Sequence, residues 1–160
     1  MQLTKYSDYS LRALIYLGLN RHRRCTIREI SDAYGISENH LMKLIHQLGQ
    51  EGYITTTRGK NGGLELAMPA SEINLGEVIR VTEGNFQLVE CFAGREKNTC
   101  PIAGPCRLTG VLEEGLQAFF GVLDQYTLED MLKPAPAFRR IFAAREERRL
   151  PSQGAGATGR

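Results

Sequence analysis

The stretch Thr26–Gly63 limits what this chain can fold into more than any other. Thr26-Ile27-Arg28-Glu29 is a capping box: the Thr hydroxyl accepts from one orphan amide and the Glu carboxylate reaches back to another. It opens a short helix through Ala33. Tyr34-Gly35-Ile36 reads as a tight turn, with Gly35 suited to a positive φ. Ser37 caps the next helix, whose Leu41, Leu44, Ile45 and Leu48 form one apolar stripe. Tyr53–Thr57 is aromatic and β-branched, and Leu64–Met68 alternates apolar with polar. Between them Arg58-Gly59-Lys60-Asn61-Gly62-Gly63 is a hairpin signal.

Upstream, Leu11, Leu14, Ile15 and Leu19 recur at helical spacing and predict a first helix within residues 1–20. Helix, helix, turn, helix and hairpin is the order of a winged helix-turn-helix, a mainly α fold with a small β-hairpin. In such a unit the third helix enters the major groove with its N-terminal residues at the base edges. Here that helix offers Ser37, Glu38, Asn39, His40, Lys43 and Gln47. Asn and Gln pair bidentately with adenine, and Lys suits guanine or phosphate. The wing tip, Arg58, Gly59, Lys60, Asn61 and Gly62, would follow the neighbouring backbone or minor groove. Pattern alone leaves open an ordinary three-helix domain with a polar face.

Charge is uneven along the chain. Residues 1–60 carry nine Lys and Arg against five Asp and Glu, residues 81–136 four against eight, and residues 137–160 six against two. A basic front points to an anionic partner, although an ordinary solvated surface would look similar. No apolar run approaches the roughly 18 residues of a membrane span, and MQLTKYSDYS lacks the basic-then-apolar pattern of a secretory signal. A cytoplasmic protein is expected, with reduced thiols.

After the hairpin, Asn74-x-x-Glu77 looks like a second capping box, opening a helix with Leu75, Val78, Ile79 and Val81 that Gly84 closes. Further on, Leu112, Leu116, Phe119, Phe120, Leu123 and Tyr126 lie on one helical face, and Thr127–Asp130 begins a short final turn. Between them Glu90–Leu108 reads ECFAGREKNTCPIAGPCRL. Its Cys91, Cys100 and Cys106 are separated by eight and five residues, wider than the Cys pairs of structural zinc sites. A wide loop can wrap an iron–sulfur cluster. Pro101 and Gly104-Pro105 would stiffen it, and Phe92 and Ile102 would limit solvent. Spacing leaves four readings open: a cluster, a thiol-redox switch, zinc, or inert thiols. Cys25, far along the chain, reads as a structural thiol.

MQLTKYSDYSLRALIYL, SENHLMKLIHQL, GYITTTRGKNGGLELAMPASEINLGEVIRVTEG and the three-cysteine loop together resemble the Rrf-type family of winged-helix iron–sulfur regulators, in its nitric-oxide-sensing repressor subgroup. The likeness covers roughly residues 1–133, and its most specific motifs are RGKNGG and the placed cysteine triplet. It implies a homodimer on operator DNA, with the Leu112–Tyr126 helix crossing its mate. It implies a cluster held by Cys91, Cys100 and Cys106, with Asp8 of the other subunit as fourth ligand. The sister subgroup, which regulates cluster biogenesis, uses a His after the third Cys; here stand Arg107-Leu108-Thr109-Gly110. Three cysteines and a carboxylate suit a 4Fe-4S cluster best, with 2Fe-2S as the alternative. Nitric oxide entering at the carboxylate-held iron would free Asp8 and relax the spacing of the two reading heads, derepressing detoxification genes.

The resulting division is a DNA-binding domain at 1–83, a cluster loop at 84–108, a dimerisation helix at 109–133 and a largely disordered tail at 134–160. The competing functions are a redox or cluster-supply sensor on the same scaffold, a cluster carrier, and a thiol oxidoreductase. The last lacks a Cys-x-x-Cys pair or an evident Cys–His arrangement. A carrier has no need of a basic wing, and no enzyme activity is expected.

Overall fold

The computed structural model describes residues 2–94 and 98–149. Among the described residues seven α-helices and one hairpin follow in order: α1 (Lys5–Leu19), α2 (Ile27–Tyr34), α3 (Glu38–Gln50), β1 (Ile54–Thr57), β2 (Gly63–Leu66), α4 (Leu75–Glu83), α5 (Leu108–Leu123), α6 (Leu128–Leu132) and α7 (Ala135–Arg149). The winged helix-turn-helix is present, and local signals build it. The Thr26 hydroxyl accepts from the Glu29 amide while the Glu29 carboxylate accepts from the Thr26 amide, so α2 starts with both orphan donors satisfied. Gly35 ends it at φ 70°, a left-handed conformation that glycine adopts without a Cβ penalty. Ser37 caps α3.

β1 and β2 pair antiparallel with Ile54 opposite Leu66 and Thr57 opposite Gly63. Cys25 extends this sheet: its amide donates to the Leu64 carbonyl at 2.9 Å and its carbonyl accepts from the Leu64 amide at 2.7 Å. The wing is thereby fastened to the segment that precedes α2. One apolar core joins Leu14 and Leu17 of α1, Ile30 of α2, Leu41, Leu44 and Leu48 of α3, Leu64 of the wing, and Ile73, Val78 and Leu128. Asn74 caps α4 by accepting from the Glu77 amide at 3.1 Å. At its buried positions Thr82 replaces the expected Val81, its hydroxyl donating to the Val78 carbonyl at 2.8 Å.

The structure departs from the sequence expectation in two places. The helical face expected to run to Tyr126 stops at Leu123, with Tyr126 beyond its end, while the short turn expected from Thr127 is present as α6 within the 109–133 segment. There the Tyr126 carbonyl accepts from the Leu75 amide at 3.0 Å and the Leu128 amide donates to the Ile73 carbonyl at 2.8 Å. Those bonds turn the chain back, and fully buried Leu128 carries α6 into the core of the reading head. The tail expected to be largely disordered is helical over Ala135–Arg149, because Phe142 finds Tyr16 and Tyr34 at ring separations of 5.6 and 5.2 Å. The rest of that tail, 150–160, lies outside the described residues.

Because α6 belongs to the core, Leu128→Ala should cost about 2–5 kcal/mol of stability, read by denaturant unfolding. A change near zero would return 128–132 to the dimerisation segment. Burial also pushes the Tyr34 phenol from its ordinary 10.0 up to about 12. A raised phenol stabilises the fold fully below pH ~10 and loses that contribution as pH climbs toward about 12. Melting temperature should therefore fall across that window, and Tyr34→Phe should make the fall shallower.

Candidate nucleic-acid interface and cysteine centre

The exposed face of α3 begins at its cap. The Ser37 hydroxyl accepts from the His40 amide at 3.4 Å and lies 2.9 Å from His40 Nδ1, which fixes the imidazole at the helix start. Glu38, Asn39, His40 and Lys43 are exposed. Gln47 is half-buried, and its Oε1 accepts from the Tyr6 hydroxyl at 2.8 Å. That bond uses one of the two lone pairs of the carbonyl and ties Gln47 to α1.

At the wing tip Arg58, Lys60 and Asn61 are exposed. The Gly62 amide donates to the Gly59 carbonyl at 2.9 Å, and Gly59 has φ 102°. A Cβ on Gly62 would run into the Thr57 carbonyl, so the turn admits glycine there. Arg24 steadies the tip from outside, donating to the Asn61 carbonyl at 3.3 Å and pairing with Glu65 at 3.2 Å.

Asp8 sits in the first turn of α1, paired with Arg12 at 2.7 Å. Arg12 also lies 5.8 Å over the Tyr9 ring and 5.9 Å over the Tyr34 ring, and Tyr9 meets His40 at 6.5 Å. The first helix thus touches the recognition helix at both Gln47 and His40. Neither Tyr6 nor Tyr9 stands out in the sequence, although both lie within a turn of Asp8 on a helix facing α3.

Cys91 lies on a short 3-10 turn, Glu90–Ala93; Cys100 opens the next turn; Cys106 directly precedes Arg107, the cap of α5. All three are half-buried and free. The Glu90 carboxylate accepts from both the Thr99 amide and the Thr99 hydroxyl at 2.6 Å, and those bonds hold its carboxyl below the usual range. This clamp joins the neighbours of Cys91 and Cys100. Cys91 Sγ lies 3.1 Å from the Thr109 hydroxyl on α5, and the Cys106 amide donates to the Ile102 carbonyl at 3.1 Å. Three free thiols on one clamped loop are a soft donor set of the kind that holds iron–sulfur clusters. Among the described residues no three His, Cys, Asp or Glu side chains already stand at metal-holding geometry, and Asp8 is not grouped with the cysteines.

On α5, Phe120 is buried and Leu112, Leu116, Phe119 and Leu123 are half-buried; Tyr126, beyond its end, is exposed. Leu108, Val111 and Val122 are exposed as well.

A winged reading head joined to a loop of free thiols is the architecture of a DNA-binding regulator with a metal- or redox-responsive arm. The chain belongs to the Rrf2 family, described as iron-dependent transcriptional regulator, which its residues 3–134 match. It is 52% identical over 133 residues to the HTH-type transcriptional regulator NsrR of Shouchella clausii (strain KSM-K16), covering 82% of this chain and 89% of that relative. It is 47% identical over 147 residues to the regulator of the same name in Bacillus subtilis (strain 168), covering 91% and 100%. Among solved structures, T. potens IscR matches with TM-score 0.66 and 26% identity over 96% of this chain and 94% of that one. The chain is therefore a transcriptional regulator of this family. No helix among the described residues is long and apolar enough to cross a membrane.

The loop thiols and Cys25 should differ in reactivity. Cys25 is fully buried, and burial pushes its thiol above the ordinary value. Thiolate fraction and access together set alkylation rate. Iodoacetamide on metal-free, reduced protein should label Cys91, Cys100 and Cys106 first and Cys25 only on unfolding, as read by peptide mass spectrometry. Early labelling of Cys25 would contradict its place in the core.

Proposed function

We propose that this chain is an iron–sulfur-dependent repressor that senses nitric oxide and works as a cytoplasmic homodimer with no catalytic activity of its own. The observation that carries the reading is the loop of three free, half-buried thiols clamped by Glu90 and Thr99. The relatives named NsrR support its direction.

Cys91, Cys100 and Cys106 would hold the cluster, and Asp8 of the second protomer would complete it. A bound cluster supplies iron with affinity for nitric oxide; 4Fe-4S suits this donor set best, and 2Fe-2S is the alternative. The chain's own residues do the rest. Asp8 has two competing uses, ligation and its pair with Arg12. Arg12 stacks over Tyr9, which touches His40 at the start of α3, so the choice Asp8 makes is felt next to the base-reading residues. The apolar side of α5, with Leu112, Leu116, Phe119, Phe120 and Leu123, would meet its mate, and Tyr126 would flank it.

On DNA, Glu38, Asn39, His40 and Lys43 would face base edges, with Ser37 and Gln47 holding His40 and the helix in place. Arg58, Lys60 and Asn61 of the wing would take phosphates or the minor groove, with Gly59 and Gly62 allowing close approach. Two heads must keep the spacing of two half-sites, so a change in their mutual pose lowers affinity. The test is operator affinity of anaerobically purified protein before and after stoichiometric nitric oxide, with absorption and Mössbauer spectra of wild type and Asp8→Ala. A drop of about 5- to 150-fold, the usual range for coupled sites, is expected. Affinity that nitric oxide leaves unaltered contradicts the sensor, and identical spectra for Asp8→Ala contradict the fourth ligand.

A further inference from the structure

Helix α7 lies beyond residue 134, where the family match ends. Its residues 135–149 carry five Arg, at 139, 140, 145, 148 and 149, against Glu146 and Glu147. Its seat is defined at both ends. Arg139 donates to the Leu19 carbonyl at the end of α1. Phe142 is held between Tyr16 and Tyr34, both of which meet it at an angle, while Phe138 stacks on it at 6.3 Å. One turn on, Arg145 Nη2 stands 3.2 Å from where a Gly35 Cβ would be, directly over the turn between α2 and α3. Arg148 follows on the same face, and Arg140, Arg145 and Arg148 are all exposed.

So α7 runs from the end of α1 to the helix-turn-helix turn, and its basic C-terminal half arrives over that turn, which leads into α3. Arg28 of α2 is also exposed and lines the same cleft of about 390 Å³ between α2 and α7. In helix-turn-helix proteins the helix before the recognition helix crosses the DNA backbone. A basic helix seated on α2 is therefore placed alongside that backbone, with the charge that phosphate requires.

We propose that the C-terminal half of α7 is a third DNA contact, in which Arg145 and Arg148, with Arg28, bind phosphates flanking the groove that α3 enters. The proposal rests on the DNA-binding reading of α3 and the wing. It adds a sequence-independent anchor to them and extends the footprint of each head outward past its turn.

The test uses the full-length protein and measures affinity against salt for two duplexes, the operator and one of mixed sequence. Arg145→Ala with Arg148→Ala should weaken both by the same factor, about tenfold at moderate salt, and reduce the salt slope by about 0.9 for each phosphate no longer neutralised. The matching Lys pair should restore most of the slope, since Lys serves as a point charge on phosphate. Phe142→Ala, which unseats α7 without removing a charge, should reproduce the lower slope. Lys43→Ala is the comparator on α3. If Lys43→Ala weakens operator binding while the Arg pair leaves affinity and slope unaltered, α7 is a brace and the proposal is overturned. If wild type binds neither duplex, the DNA-binding reading itself fails and takes this one with it.

Discussion

Arg80 and Asp124 hold each other through two hydrogen bonds of 2.7 Å, and the way α5 meets the reading head depends on that joint. It fastens α4 to the end of α5. Asn74 donates to the Asp124 carbonyl at 2.8 Å, and Arg80 lies 4.2 Å over the Phe120 ring, which meets Phe86 edge-on at 4.7 Å. Gly76 passes beneath the carboxylate where a Cβ would collide with it. Each group draws the other toward its charged form, Asp124 downward and Arg80 upward in pKa. An exposed ion pair contributes little stability alone. Its importance here is orientation, because the hydrogen bonds and ring contacts that surround it all fix the angle at which α5 leaves the head.

The C-terminal end of α4 is tied as well. Glu83 at its end accepts from the Thr4 amide at 2.7 Å and the Thr4 hydroxyl at 3.2 Å, one turn before Asp8. Helix α4 therefore stands between the start of α1 and the end of α5, and the chain leaves it through Gly84 and Phe86 toward Cys91. The cysteine loop reaches the reading head by two routes, back along α5 to Asp124 and forward from α4 through Thr4 to α1. From α1 the contacts continue through Tyr6 to Gln47 and through Tyr9 to His40.

The reading head was legible because its signals are local. Thr26 with Glu29, Gly35, Ser37 and the RGKNGG turn each act within a few residues, and the apolar stripe of α3 declares its buried face without help from elsewhere. The end of α5 was not legible. Asp124-Gln125-Tyr126 contains no Pro or Gly to stop a helix; it is stopped by Asn74, Leu75 and Arg80, some fifty positions earlier in the chain. Helix α7 was hidden for the same reason, since its composition reads as a charged tail until Phe142 meets Tyr16 and Tyr34. In the cysteine loop the residue types pointed to metal chemistry. The Glu90–Thr99 clamp and the Thr109 contact of Cys91 depend on backbone geometry that spacing does not encode.

On this view the Arg80–Asp124 joint carries the α5 route between the cysteine loop and the reading head. Its most direct test compares the operator affinity of iron-loaded and iron-free protein for wild type and for Arg80→Lys, which keeps the charge but loses the two-point bond and the flat stacking on Phe120. Arg80→Lys should keep a folded head and a measurable affinity while the gap between the loaded and iron-free forms shrinks severalfold. A gap as wide as in wild type would contradict the link.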